Sequence, residues 1–541
     1  MEAHPFRGRT LAVINDLNRE ERLYLYRRTR ELKQAHLRGD RRTLDSFRID
    51  DPDFGIYEVF LEDSTRTRES FKNAAHFHRL KFSELNTASS SFNKSESYAD
   101  TFANLIGYDN RMFVIRSKLE GVCRYLAEKT QQYGRRHNLA GGISFINAGD
   151  GRHEHPTQEL LDEFTFLEDL DWDDREIHLA LVGDLYHGRT VHSKVHGLGL
   201  FHKVTVDLVS PPELSMPRSY VEEMQLQGFT VREFGSIEQY LRHGQRPEDS
   251  TEIARLWYFT RPQLERMGER VLRRAAELRA AITFDPADIE RLARDTIFYH
   301  PLPRHREHPT IPVSLDDTPL NGWERQSANG WYIRMVLLAM LAGRIGDDYR
   351  GPLGPQQVED EDFVRDVTNE AGLRGSADQT SPQEQRYSEG IRPIRDGLVI
   401  DHIFTAAPPE KIRSHLATLI SVMGLHGRGG EWVSTGSNGH CKGLLFRPGH
   451  PGLDEYAVRK LAAVVPGATV NVIRDGAVYR KFRLGHPQHI EKLPELICRN
   501  DACITHPDNG EQTLPRFIRS RDGHYVCAYC SRKHEFTEVW R

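Results

Sequence analysis

Five short segments carry residue types that hold anions and carbonyl groups. Glu62-Asp63-Ser64-Thr65-Arg66-Thr67-Arg68 follows an apolar run and opens a helical one. Free backbone N–H groups at a helix start, flanked by hydroxyls and a guanidinium fork, make a phosphate site. Ser, Thr and Asp are also ordinary helix caps. His155-Pro156-Thr157-Gln158 follows Asn147-Ala148-Gly149-Asp150-Gly151, where glycines let backbone approach a ligand. Gly183-Asp184-Leu185-Tyr186-His187-Gly188-Arg189-Thr190 is a second strand-to-helix turn with an arginine in its first turn. It lacks the three-glycine spacing of a dinucleotide site. Thr260-Arg261-Pro262-Gln263 follows another apolar run, and in His300-Pro301-Leu302-Pro303-Arg304 the prolines fix the Leu302 carbonyl. That tight X-Pro turn is a cis-proline candidate. Singly, each segment reads equally well as a cap, a turn or a rigid loop.

The chain has six cysteines; Cys123 and Cys441 stand alone, and Cys498, Cys503, Cys527 and Cys530 cluster near the C-terminus. Cys498-x4-Cys503 and Cys527-x2-Cys530 are two knuckles whose four thiolates make a closed, tetrahedral, structural zinc site, one per chain. A closed site leaves no coordination position for catalysis.

The elements that must position the five segments alternate. Ile56–Leu61, Met112–Ile115, Ile143–Ile146, Ile177–Val182, Val204–Val209 and Ile253–Tyr258 read as buried strands. Arg66–Arg79, Thr157–Leu170 and Arg189–His196 read as helices. Alternation of this kind implies parallel sheets covered on both faces, with ligands beyond the carboxyl ends of the strands. From Gly346 to Gly390 the composition turns to Asp, Glu, Gln, Gly, Pro and Ser without a helical period, which reads as a linker.

The 541 residues are 38% hydrophobic and 28% charged, with a formal net charge of −5, so a nucleic-acid partner is not expected. Met1 to Thr10 has no signal-peptide core. The longest apolar stretch, Met335–Ala342, is far below the roughly 18 residues of a membrane span. A cytoplasmic protein without a membrane partner is expected.

Taken together and in this order, Ser-Thr-Arg-Thr-Arg, His-Pro-Thr-Gln and His-Pro-Leu-Pro resemble the signatures of the carbamoyltransferase family, over nearly all of residues 1–345. The His-Pro-Thr-Gln and His-Pro-Leu-Pro forms are similar to its aspartate branch, since the ornithine branch carries a cysteine at each place. The resemblance implies transfer of a carbamoyl group from carbamoyl phosphate to L-aspartate, in pyrimidine biosynthesis, with no cofactor for catalysis. It implies that Ser64, Thr65, Arg66 and Thr67 hold the phosphate. Thr67, Arg116 and His155 would donate to the carbonyl oxygen, and Gln158 would orient the carbamoyl amide. Leu302 and Pro303 would receive the attacking amine, and Arg189, Arg261 and Gln263 would hold aspartate. In the family a loop from a neighbouring subunit reaches the site, and Ser90 and Lys94 fit its serine and lysine. A homo-oligomer built on a trimer, with shared active sites, follows from that.

The C-terminal part, roughly Ile391–Phe536, resembles the regulatory chain of aspartate carbamoyltransferase, here joined to the catalytic chain. The resemblance rests on Gly397–Ile403, Ala468–Ile473 and the zinc knuckles. Ile394, Asp401, His402, Asn471, Ile473, Val478 and Lys481 fall on its effector positions. Phe446 stands where a lysine is expected, and Gly476 where a larger residue is usual, so nucleotide control is expected to be weakened. The expected α/β architecture has a carbamoyl phosphate domain (1–160, rejoined by a helix at about 325–345), an aspartate domain (161–324), a linker (346–390), an α+β regulatory-type domain (391–487) and a small zinc-binding β domain (488–541). Two alternatives stand beside this reading: a carbamoyltransferase of another amine such as ornithine, and a non-catalytic zinc-containing assembly protein.

Overall fold

A computed structural model describes residues 4–85, 96–136, 142–244, 253–263, 273–354, 363–368, 394–405, 407–435, 440–520 and 522–541. It divides into two units, Met1–Gln356 and Gln357–Arg541.

The first unit is built on two parallel sheets. One runs in the order β2-β1-β3-β4, with β1 Gly55–Phe60, β2 Lys81–Glu84, β3 Asn110–Ser117 and β4 Ser144–Asp150. The other runs β7-β6-β5-β8-β9, with β5 Glu176–Val182, β6 Lys203–Val209, β7 Thr230–Phe234, β8 Leu256–Phe259 and β9 Ile297–Tyr299. The central strands are nearly continuous apolar runs, because helices cover both faces of a parallel sheet. Edge strands β2 and β7 carry no such run and are half exposed, which is why the sequence pattern gave no sign of them.

Helices tie the sheets together. The helix Trp323–Ala342 packs on three others, Arg19–Arg38, Thr65–Phe77 and Pro156–Asp169. Its stretch from Tyr332 to Leu341 is buried all round, as expected of a helix with apolar residues on every face. Arg19–Arg38 starts at a capping box between Asn18 and Glu21 and stops at Gly39 in the left-handed region. One core joins Ile56, Met112 and Ile146 of the first sheet with Leu179, Val206 and Leu256 of the second.

Three readings of the sequence need correcting. The division at 160/161 falls inside the continuous helix Pro156–Asp169, and the sheets change over after it. The helix read as Arg189–His196 is two short ones, Arg189–His192 and Lys194–Gly197. The segment 346–390 is not all linker. Tyr349 packs its ring 5.1 Å from Phe6, and Asp348 accepts a 2.6 Å hydrogen bond from Tyr24. Val364–Asp366 is β10, a strand too short to show a period. The rest of the segment, from 355 to 362 and from 369 on, lies outside the described residues.

In the second unit, β10 lies at one edge of a six-stranded sheet in the order β10-β15-β14-β11-β13-β12. Its other strands are β11 Gly397–Ile403, β12 Gly430–Thr435, β13 Cys441–Pro448, β14 Thr469–Arg474 and β15 Ala477–Leu484, and every pairing is antiparallel. Leu398, Ile400, Leu445, Val470 and Phe482 are buried on the face that carries the helices Pro409–Met423 and Glu455–Val464. The period-2 alternation of a sheet with one covered face accounts for this. A four-stranded antiparallel sheet follows: β16 His489–Ile490, β17 Phe517–Arg519, β18 Tyr525–Cys527 and β19 Lys533–His534.

Candidate active site

The carboxyl ends of both parallel sheets open onto one cavity of about 1110 Å³. All five sequence segments reach it from strand ends, the first four being residues 61–67 after β1, His155 and Gln158 after β4, residues 187–190 after β5, and Thr260, Arg261 and Gln263 after β8. His300 to Pro303, after β9, complete the wall. Arg116, the penultimate residue of β3, lines it as well.

Ser64 occupies the N-cap of the helix Thr65–Phe77, yet its side chain makes no capping hydrogen bond. The hydroxyl is therefore not spent on closing the helix, as a plain cap would be. The first turn holds Arg66 and Arg68 and no acidic residue, the reverse of what the helix dipole favours. Such a turn suits an anionic ligand.

Behind this turn, Thr67 Oγ1 lies 3.5 Å from His155 Nε2. His155 is buried at the N-cap of the helix Pro156–Asp169. Burial, with Arg116, Arg189 and Arg334 nearby, holds its imidazole well below the usual pKa of 6.5. At neutral pH the ring is uncharged and has one N–H to donate. Arg116 donates to the Ala148 carbonyl at 2.9 Å, and burial beside Arg189 lowers its pKa to about 10. Arg189 donates to the Gly151 carbonyl at 2.9 Å. Glu62 Oε2 lies 3.7 Å from Arg116 and 3.5 Å from Arg189, so one carboxylate from the first sheet's loop faces both guanidinium groups. Gly149 has φ +112°, and a Cβ there would lie 2.6 Å from Arg116 Nη1. The positive φ favours glycine there, and any side chain would press on the tips of Arg116 and Arg189.

The loops after β5 and β8 are tied to each other by buried Asp184. Its carboxylate accepts from the Gln263 N–H at 2.9 Å and from the Tyr186 and His187 N–H groups. Gln263 Nε2 donates to the His187 carbonyl at 3.3 Å. On the remaining wall the Leu302–Pro303 bond is cis and Leu302 has φ +53°. The Leu302 N–H donates to His300 Nδ1 at 2.8 Å, and the His300 N–H to Gln326 Oε1 at 2.9 Å.

Sequence reading missed Arg334 and Gln326, both on the helix Trp323–Ala342. Arg334 lines the cavity, donates to Ser70 at 2.8 Å and is held by burial at a pKa of about 10. Its signal was a lone cation in the otherwise apolar run Trp331–Leu341. Ser90 and Lys94 lie outside the described residues.

Several buried histidines are held uncharged by desolvation: His300 at about 3, and His78 and His192 at about 4. A folded pKa below the unfolded value of 6.5 means that the unfolded chain takes up protons first as pH falls. Stability from these groups is present above pH 6.5 and lost as pH falls toward 4, by on the order of 3 kcal/mol per group. Thermal midpoints of the full chain should drop steeply between pH 6.5 and 4. A midpoint flat over that window would contradict the burial of neutral rings.

Cys498, Cys503, Cys527 and Cys530 are all buried, and their sulfur atoms lie within 4.8 Å of one another. Cys498 and Cys530 are 3.6 Å apart, and Cys503 and Cys527 3.9 Å. A tetrahedron with Zn–S bonds of about 2.3 Å has S–S edges of about 3.8 Å. The four sulfurs fit a structural zinc.

The residues expected from the sequence at effector positions fall on β11, β14 and β15, apart from Ile394, which precedes β11. Register pairs Asn471 with Lys481 and Ile473 with Val478. Asp401 accepts from Lys442 Nζ at 3.0 Å and from the His402 N–H. Phe446 sits opposite Val399, both half-buried, and Val399 in turn lies opposite Asn471 on its other side.

Comparison with known proteins agrees with this geometry. Residues 9–168 match the family model described as aspartate/ornithine carbamoyltransferase, carbamoyl-P binding domain, and 175–341 match its Asp/Orn binding domain. Residues 389–485 and 488–540 match the allosteric and metal binding domains of the aspartate carbamoyltransferase regulatory chain. Protein PyrBI of Treponema denticola is 54% identical over 99% of this chain and 98% of its own length. Protein PyrBI of Thermotoga maritima is 46% identical over 99% of each. An aspartate transcarbamoylase of Trypanosoma cruzi, solved with N-(phosphonacetyl)-L-aspartic acid, superposes with a TM-score of 0.51 at 26% identity. It covers 62% of this chain and 96% of that one.

Proposed function

Because the chain belongs to the aspartate carbamoyltransferase family, with catalytic and regulatory portions in one polypeptide, we propose that carbamoyl phosphate and L-aspartate react in the cavity between its two parallel sheets. The activity is that of a carbamoyltransferase of pyrimidine biosynthesis. The observation that carries the site is the meeting of Arg66, Arg116, His155, Arg189 and Arg261 on one cavity, where fixed donors face every charge the reaction develops.

The phosphate rests on the helix N-terminus with Ser64, Thr65, Arg66 and Thr67, and Arg66 meets the leaving oxygen. The carbonyl oxygen receives hydrogen bonds from Thr67, Arg116 and His155. Neutrality of His155 suits this, because an uncharged N–H stabilises developing negative charge without competing for the phosphate. Gln158 orients the carbamoyl –NH₂. Arg189 and Arg261, with Gln263, hold the two carboxylates of aspartate, for which planar guanidinium forks are matched. The amine then attacks the carbamoyl carbon while the Leu302 carbonyl, fixed by Pro303, accepts one of its N–H groups. The C–O bond to phosphate breaks as the C–N bond forms, and the departing phosphate takes up the proton that the amine loses. Positioning and electrostatics supply the rate.

Ser90 and Lys94 from a neighbouring copy complete the site in this reading, so the working form is a trimer or a multiple of it. A cytoplasmic location goes with four thiolates kept reduced for zinc. Nucleotides bind the second unit weakly, because Phe446 offers no charge to a phosphate on the face shared by Asn471 and Lys481.

One set of assays on the purified full chain tests the whole reading. Carbamoyl aspartate should form from aspartate, ornithine should not be carbamoylated, and neither ATP nor CTP should move the rate. Turnover of ornithine in place of aspartate would remove the substrate assignment, and micromolar nucleotide binding by calorimetry would remove the weak-effector one.

A further inference from the structure

Behind the cavity lies a buried chain of polar groups that the roles above leave unused. On the helix Pro156–Asp169, Glu159 and Asp162 are 1% and 0% exposed, and Lys194 is 0% exposed. Lys194 Nζ donates to Asp162 Oδ2 at 2.7 Å and to Glu159. The other oxygen of Asp162, Oδ1, accepts from two amides that line the cavity, Gln158 Nε2 at 2.9 Å and Gln326 Nε2 at 2.6 Å.

A glutamine amide has a donor end and an acceptor end, and nearly the same shape either way round. What one end meets therefore decides what the other presents. Gln326 is fixed independently: its Oε1 accepts from the His300 backbone N–H, which can only donate. Its Nε2 must then point at Asp162, which requires an acceptor there. A carboxylate buried this deeply remains one only if a cation answers its charge, and Lys194 is that cation. The same oxygen forces Gln158 to turn its –NH₂ inward and its Oε1 outward.

We propose that Asp162, kept as a carboxylate by Lys194, is a positioning residue that turns the Gln158 carbonyl oxygen into the cavity as an acceptor for the carbamoyl –NH₂, and so selects a carbamoyl over an acyl phosphate. This rests on the reading that Gln158 meets the carbamoyl group. An acyl phosphate carries a methyl where carbamoyl phosphate carries –NH₂. Against the methyl, Oε1 is left unpaired. With the amide inverted, N–H would face N–H and the preference would vanish.

Asp162→Asn tests this without changing volume. Lys194 holds the new amide oxygen, so the new –NH₂ faces Gln158 and inverts it; it also meets the fixed Gln326 –NH₂, which costs stability but does not distinguish the two phosphates. The readout is the ratio of affinities for carbamoyl phosphate and acetyl phosphate on the full chain, with inorganic phosphate as a control. The ratio should fall roughly tenfold or more, with phosphate affinity unchanged. In the double variant Q158E/D162N one Glu oxygen accepts from Asn and the other faces the cavity, so the ratio should recover. Lys194→Met should lower the ratio as well, and serves if D162N does not fold. A native ratio in D162N alongside a lowered one in Gln158→Ala overturns the inference and leaves the Gln158 reading standing. An unchanged ratio in both removes that reading and the inference with it. Parallel loss of both affinities, with the ratio kept, reduces Asp162 to a structural role and also overturns it.

Discussion

Arg66→Ala is expected to lower kcat/KM for carbamoyl phosphate by roughly 10²–10³-fold, the cost of removing one preorganised donor from a developing anion, while the folded chain loses no stability. The two halves of that expectation have one cause. Arg66 is exposed to the cavity in the first turn of the helix Thr65–Phe77, with no acidic residue beside it in that turn. A cation at a helix N-terminus opposes the dipole by about 0.3–1 kcal/mol. Truncating it should leave the thermal midpoint equal or slightly raised, as when strain held for function is released. Steady-state kinetics beside a thermal melt reads both at once. Equal turnover in the two proteins would remove Arg66 from the chemistry, and a large fall in midpoint would make the activity loss a folding effect.

Removing the metal should have the second largest effect, on a different part of the chain. The sheet β16 to β19 has strands of two or three residues. A sheet that small cannot bury enough apolar surface to stand alone. Zinc contributes apparent free energies of about 10–16 kcal/mol in small sites of this kind. A strong chelator, or Cys503→Ser, should therefore unfold residues 488–541 while the first unit, with its own core, keeps its thermal transition. Hydrogen exchange resolves the two regions, and metal analysis should find one zinc per chain. Protection of β17 and β18 that survives chelation would show that the thiols do not carry the fold there.

Much of the site was legible because its residues stand next to strand ends. The apolar runs ending at Leu61, Ile115, Val182 and Tyr258 mark where the chain leaves a parallel sheet, and the hydroxyls, arginines and amides just beyond line one cavity. The zinc knuckles were legible for a similar reason, since ligand spacing is local. What stayed hidden was contact over long separation. Arg334 and Gln326 sit on a helix near the end of the first unit, and nothing in their neighbourhood names the cavity they reach. The helix Pro156–Asp169 misleads further. Its Glu159, Asp162 and Glu163 have the composition of a solvated face, yet all are buried because Lys194 and Arg22 come from elsewhere to meet them. Edge strands β2 and β7 are short and half exposed, so they show neither a continuous apolar run nor a clear alternation.

The short strand β10 has a consequence for how copies of the chain can meet. It satisfies one rim of β15, with Val367 and Thr368 continuing the bonding to Lys481, and it offers only three residues of its own. A rim that brief is a poor template for another backbone. Among the described residues the opposite rim, β12, is the longer free one at six residues. Recruitment of a neighbour by strand addition is thereby one-sided. Two copies that met along β12 would each spend that rim of this sheet, so the pairing would close on itself as a couple.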